Sequence, residues 1–193
     1  LLENKENSIL IDVRTEEETN QGHIKDATKI DFYSDNFIER INMVRKDVPV
    51  FVYCRSGGRS SSAARKMENI GFTKVYNLIG GISAWERENY NLVKTSDTED
   101  YNIKTISKKD FEKLLNTKLP VLVNFHTKWC VPCKKLSPIV DQLEKEKKGK
   151  IKIIRVDIDT SKEISRQYKI TSVPTLVLYK QKKEIWRHIG FIN

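Results

Sequence analysis

The sequence predicts a chain of two α/β domains, and three observations predict it. Short apolar, strand-like runs alternate with segments of helical period along the whole length. A polar stretch, KTSDTEDYN at 94–102, interrupts the alternation midway. Each side of that stretch carries its own cysteine motif where an apolar run gives way to a loop.

Taken in order, Ser8 to Val13 (SILIDV) reads as a buried strand and Pro49 to Tyr53 (PVFVY) as another. Between them a helix is expected over Asn36 to Arg45, with Asp35 as its N-cap and Phe37, Ile38, Ile41 and Val44 on one face. A second helix is expected over Ser60 to Ile70, closed by Gly71. A short strand at Lys74 to Asn77 and a helix over Ile82 to Asn89 follow. Beyond the polar stretch, Ser107 caps a helix holding Phe111, Leu114 and Leu115, and Pro120 to His126 is a central strand. Val131 to Lys147 is a long helix. Ile151 to Val156 reads as strand, Ser161 to Tyr168 as helix, and Thr175 to Tyr179 and Glu184 to His188 as a hairpin turning at Gln181 to Lys183. The domains are therefore placed at 1–95 and 103–193, with a linker at 96–102.

No run approaches the roughly 18 apolar residues of a membrane span, and none reads as a secretory leader. The chain starts without methionine, so its beginning is expected to be trimmed; cytoplasm and periplasm both stay open. The net charge of +9 is uneven: 14 basic and 15 acidic residues through Asp97, then 21 and 11 after it. The surplus lysines (Lys145, Lys147, Lys148, Lys150, Lys152) follow helical spacing without interleaved aromatics. They describe a solvated face rather than a nucleic-acid surface.

Three cysteines, one pair and a singleton, are too few for a disulfide framework and read as reactive thiols. Cys54 stands at the end of a strand, followed by Arg55, Ser56, Gly57, Gly58, Arg59 and Ser60 and then a helix. Successive backbone N–H groups and a helix N-terminus around one sulfur make an anion-binding nest. The glycines permit the curl, and the two arginines add permanent charge. Such surroundings lower a thiol's pKa and make a thiolate nucleophile, suited to phosphate or to sulfur transfer.

Four residues separate Cys54 from Arg59, and this resembles the rhodanese active-site loop, C-x-x-G-x-R. Cysteine-dependent phosphatases have five. The resemblance runs from Ile9 to about Val93 through LIDVRTEEE, GHIKDATKID, VYCRSGGRS and LIGGISAWE, with Gly80, Gly81 and Trp85. It implies a parallel-sheet α/β domain in which Cys54 carries a persulfide drawn from thiosulfate or another sulfane-sulfur donor. It further implies that Arg59 stabilises the loop and the persulfide, and that Arg55 attracts an anionic donor. Asp12 and Arg14 match the family's Asp-x-Arg and imply a structural ion pair, while His23, in Gly-His-Ile, implies a hydrogen-bonded structural histidine. Lys25-Asp26 replaces the usual Pro-Gly, and the family's first strand is expected to be missing.

In WCVPC, Cys130 lies at the N-terminus of the long helix, where unpaired N–H groups favour a thiolate. Cysteines separated by two residues close a small disulfide without large backbone movement, so Cys130 and Cys133 form a dithiol/disulfide switch. Zinc is not expected, because further ligands would have to come from His126, His188 or Cys54. From about Tyr101 onward the chain resembles thioredoxin, through VLVNFHTKWCVPCKKLSPIV, VDID and TSVPTLVLY. The resemblance implies an α/β/α layering with a mixed sheet, an exposed attacking Cys130 and a resolving Cys133. It also implies a cis-proline at Pro174 that leaves the Val173 backbone to pair with substrate, and a recognition surface at Trp129. Asn124 replaces the family's buried aspartate, and Val131 its glycine. With Lys128, Lys134 and Lys135 nearby, a more oxidising couple than ordinary thioredoxin is expected. The family's last helix is expected to be missing, which would leave a sheet face uncovered.

The expected function is thus a sulfurtransferase joined to a thiol-disulfide oxidoreductase whose dithiol exchanges disulfides or reduces the Cys54 persulfide. Its expected partners are a sulfane-sulfur donor, protein disulfide substrates and an external reductant, with no cofactor and no nucleic acid. The alternative is a redox protein whose first domain only binds a partner, and an inert Cys54 would mark it.

Overall fold

The computed structural model describes residues 8–94 and 105–192. The chain divides into two compact units, Leu1–Glu99 and Asp100–Asn193, and the linker expected at 96–102 lies outside the described residues.

The N-terminal unit runs β1 (Ile9–Asp12), α1 (Glu16–Gln21), β2 (Thr28–Lys29), α2 (Phe37–Asn42), β3 (Val50–Tyr53), α3 (Gly58–Asn69), β4 (Val75–Asn77) and α4 (Gly81–Arg87). Its four strands pair in parallel in the order β2-β1-β3-β4. Because β1 and β3 are central, their residues are mostly apolar, and Ile11, Val50, Val52 and Tyr53 are fully buried; Asp12, at the end of β1, is the buried exception in these two strands. Tyr53 ties the core to the backbone: its Oη accepts from Ile24 N at 3.0 Å, while Ile24, Ala27 and Ile82 cluster with it.

Two elements here were not anticipated, and two boundaries are corrected. α1 is a six-residue polar helix held by a full capping box, in which Thr15 accepts from Glu18 N and Glu18 reaches back to Thr15 N. β2 is only two residues long. α2 is shorter than the expected 36–45, and Asn36, not Asp35, occupies its N-cap without a side-chain cap bond. It ends at Asn42 because Met43 and Val44 N–H bond three residues back, to Arg40 and Ile41, which tightens the last turn. α3 starts at Gly58, two residues early, since Gly57 adopts φ 107° and turns the chain straight into the helix.

The C-terminal unit runs α5 (Lys108–Leu115), β5 (Val121–His126), α6 (Val131–Glu146), β6 (Lys152–Asp157), α7 (Lys162–Gln167), β7 (Thr175–Lys180) and β8 (Lys183–Ile189). The mixed sheet has the order β6-β5-β7-β8, with β6 parallel to β5 and the other pairs antiparallel. Ser107 caps α5 as expected, accepting from Asp110 N. The β7–β8 turn is two residues, Gln181 and Lys182, both at positive φ. Leu136 and Val140 of α6 pack on Leu122 and Leu176, joined by Phe191 and Ile192. Phe111 of α5 meets Phe125 of β5 and Tyr168 after α7, building the second apolar layer. Among the described residues no helix is long and apolar enough to cross a membrane.

Candidate functional site

The β3–α3 loop places Cys54 in a cradle of donors. Its sulfur is buried and accepts from Gly57 N at 3.2 Å and from Ser60 Oγ at 3.4 Å. Burial alone pushes the thiol up, but hydrogen bonds from the Ser60 hydroxyl and from the backbone N–H groups of Ser60, Gly57 and Ser56 outweigh it. The net effect holds Cys54 below the ordinary thiol range. Arg55, Ser56 and Gly58 are exposed around it.

The loop is held in shape from behind by the β4–α4 corner. Ile82 N donates to Cys54 O at 2.9 Å and Ser83 N to Arg55 O at 3.0 Å, so the loop's carbonyls point away from the sulfur and its N–H groups toward it. Gly81 makes this approach possible: a Cβ there would collide with the carbonyl oxygens of Cys54 and Arg55. Gly81 is thus a backbone requirement of the cysteine loop, whereas a Cβ on Gly80 would meet Ala84 of α4 instead.

Arg59 has a partner that the sequence did not indicate. Its guanidinium forms a two-point ion pair with Glu18, Nη1 to Oε2 at 2.6 Å and Nη2 to Oε1 at 2.7 Å, and lies over the Tyr33 ring. The hydrogen bonds from Arg59 lower the Glu18 carboxyl to about 2. Glu18 was not among the sequence candidates. The T-x-x-E pattern at Thr15 to Glu18 was the available signal for the helix, but its pairing with a residue 41 positions away is tertiary. Asp12 and Arg14 do pair, at 2.7 Å, and Arg14 Nη2 also donates to Gly22 O. His23 is largely buried. Its Nδ1 has no hydrogen-bond partner among the described residues, and burial, together with Lys29, holds the ring's pKa down.

In the second unit Cys130 and Cys133 are joined as a disulfide, with Cα atoms 5.2 Å apart. Cys130 is the N-cap of α6, and its sulfur accepts from Cys133 N at 3.2 Å. In this disulfide form the two cysteines do not differ in exposure, each being 3% exposed, whereas the resemblance implied a more exposed Cys130 thiol. Trp129 is half-buried and donates Nε1–H to Asp159 at 2.8 Å. The Val173–Pro174 peptide is cis, and both residues are buried. Asn124 lies two residues along β5 from Leu122, on the face that packs against α6. It is buried, and its Oδ1 has no hydrogen-bond partner among the described residues. Among those residues no cluster of three His, Cys, Asp or Glu could hold a metal ion.

Residues 102–192 match the family described as Thioredoxin, and residues 1–88 match the Rhodanese-like domain. The thioredoxin of Rickettsia felis is 42% identical over 86 residues, spanning 44% of this chain and 82% of that protein. The thioredoxin of Rickettsia conorii is 40% identical over 79 residues, spanning 41% and 75%. Among solved structures, Fasciola hepatica thioredoxin is similar at 34% identity and TM-score 0.43, covering 45% of this chain and 84% of that one. Through its C-terminal unit the chain belongs to the thioredoxin family, and it carries a rhodanese-like domain ahead of that unit.

Proposed function

We propose that the chain is a sulfurtransferase and a thiol-disulfide oxidoreductase in one polypeptide. The observation that carries the first half is the donor cradle of Cys54, which stabilises a thiolate and leaves an anionic sulfur surrounded by N–H and O–H groups. The Cys54 thiolate attacks the outer sulfur of a sulfane-sulfur donor such as thiosulfate, the S–S bond of the donor breaks, and sulfite leaves with the electron pair. Cys54 is then a persulfide. The family membership supports the second half: with the bridge reduced, Cys130 attacks a protein disulfide and Cys133 resolves the mixed disulfide, after which an external reductant restores the dithiol. Arg55, Ser56, Gly57, Gly58, Arg59 and Ser60 shape the first site; at the second, half-buried Trp129 is a recognition residue and the Val173 backbone, next to cis Pro174, pairs with substrate. The same dithiol is a suitable acceptor for the persulfide sulfur and releases it as sulfide. The domains are assigned to 1–95 and 103–193.

Peptide mass after thiosulfate or persulfide treatment tests this, in the wild-type chain and in Cys130→Ser/Cys133→Ser. One added sulfur on the Cys54 peptide is expected, persisting in the double variant and lost as sulfide in the reduced wild type. A Cys54 peptide that never gains sulfur overturns the sulfurtransferase half.

A further inference from the structure

The loop contains a distribution of protons and charges that singles out one residue for the chemistry at Cys54. Arg59, the cation nearest in sequence to the loop's closing end, is engaged at two points by Glu18, which is itself fixed by accepting from Thr15 N. Its charge is matched by a carboxylate that stays ionised far into acid. Ser60 is different. It is fully buried, and its Oγ lies within reach of two acceptors, Cys54 Sγ at 3.4 Å and Gly57 O at 3.1 Å. A hydroxyl has one proton to give.

The Gly57 carbonyl has no need of it. That oxygen already accepts from Ser61 N at 2.9 Å and from Asn77 Nδ2 at 3.3 Å, which fills its two lone pairs. The Ser60 proton is therefore available to the sulfur.

We propose that Ser60 is a catalytic residue: its hydroxyl donates to Cys54 Sγ as that sulfur becomes a leaving group, while Arg59, held at two points by Glu18, acts on Cys54 through its charge and not through a hydrogen bond to the sulfur. The inference rests on the sulfurtransferase reading and specifies its second step. An acceptor thiolate attacks the outer sulfur of the Cys54 persulfide, the Sγ–S bond breaks, and its electron pair passes to Sγ. The outer sulfur leaves with its proton as the acceptor's persulfide. Charge accumulates on Sγ at the moment when the Ser60 O–H and Gly57 N–H point at it, which is where fixed donors lower a barrier.

The test uses the full chain with Cys130→Ser/Cys133→Ser, so that Cys54 is its sole thiol, and reads the rate of Cys54 alkylation by iodoacetamide against pH. Ser60→Ala is expected to move the profile up by about one pH unit and to slow alkylation at pH 7 about tenfold. Ser60→Thr, which restores a hydroxyl, is expected to recover most of the loss. Glu18→Gln/Arg59→Gln, which removes the pair together, is expected to move the profile by less than half as much. Asn77→Ala supplies an independent arm: it vacates a lone pair on Gly57 O, draws the Ser60 proton away from sulfur, and is expected to shift the profile in the same direction. The proposal is overturned if folded Ser60→Ala superimposes on its parent, or if the Glu18/Arg59 double variant shifts the profile as far. Should Ser60→Ala fail to fold, an unshifted Asn77→Ala overturns it alone. Alkylation requires no sulfur transfer, so a chain that accepts no sulfur but shows these shifts loses the sulfurtransferase reading and keeps the Ser60 assignment to the thiolate.

Discussion

Glu18 and Arg59 lie 41 positions apart in sequence and meet face to face at 2.6 and 2.7 Å, linking the first turn of α1 to the first turn of α3 beside Cys54. This pair makes the N-terminal unit acid-sensitive. The Glu18 carboxyl is lowered to about 2 from an ordinary 4.5, so its stabilisation is complete above the unfolded value and is lost as pH falls from about 4.5 toward 2. Both side chains touch solvent, which limits the effect to about 1 kcal/mol. Urea unfolding of Glu18→Gln is expected to show a lower stability at pH 7 and a flatter pH dependence in that window. An unchanged slope between the two chains would remove the role given to the pair.

Gly81→Ala is expected to damage the Cys54 loop from a distance. The new methyl meets the carbonyls of Cys54 and Arg55, and the residue sits at φ 57°, where a side chain alone costs about 1–2 kcal/mol. Thermal unfolding and the Cys54 alkylation profile measure both consequences: a lower midpoint, and a slower thiol at pH 7. Alkylation at the wild-type rate would show that the α4 corner does not set the loop.

Asn124 buries an acceptor without a partner in the described structure, a cost of about 1–3 kcal/mol. Asn124→Leu, similar in volume, is expected to raise the stability of the oxidised chain by about 1 kcal/mol. Asn124→Asp has the opposite character. Burial raises the new carboxyl's pKa in the folded state, which then binds a proton that the unfolded chain has released, so stability falls as pH rises through neutrality. Denaturation of the two variants across pH 5 to about 8 distinguishes these outcomes, and a flat profile for Asn124→Asp would place that position in contact with water.

Lys128, Lys134 and Lys135 flank WCVPC in sequence, and positive charge near a dithiol is expected to favour its thiolate over the disulfide. A reduction potential above about −270 mV is expected on equilibration with glutathione, and a value at or below it removes the argument.

The strands and long helices were legible in the residues because their patterns are self-sufficient. VFVY and VLVNFH announce buried strands by their composition, and α6 carries its apolar stripe, Cys133, Leu136 and Val140, at helical spacing. What escaped was either too short or not local. α1 presents EEETNQ, with Thr19 its one buried residue, so it has no apolar period to detect, though Thr15 and Glu18 spell its cap. β2 is two residues. At the site, the sequence order of Cys54, Gly57, Gly58 and Ser60 conveyed the nest, since all its donors lie within six positions. The partner of Arg59 was not conveyed, because nothing in a five-residue window reveals a carboxylate arriving from another helix.

The way Ile82 and Ser83 grip the carbonyls of Cys54 and Arg55 bears on transplanting this chemistry. A designer who grafts CRSGGRS onto a new scaffold would copy every atom near the sulfur and still lose the arrangement, because the peptide planes are oriented by amides some 28 positions downstream. The portable unit is discontinuous: the loop together with Asn77 through Ser83, carried as two segments at fixed separation.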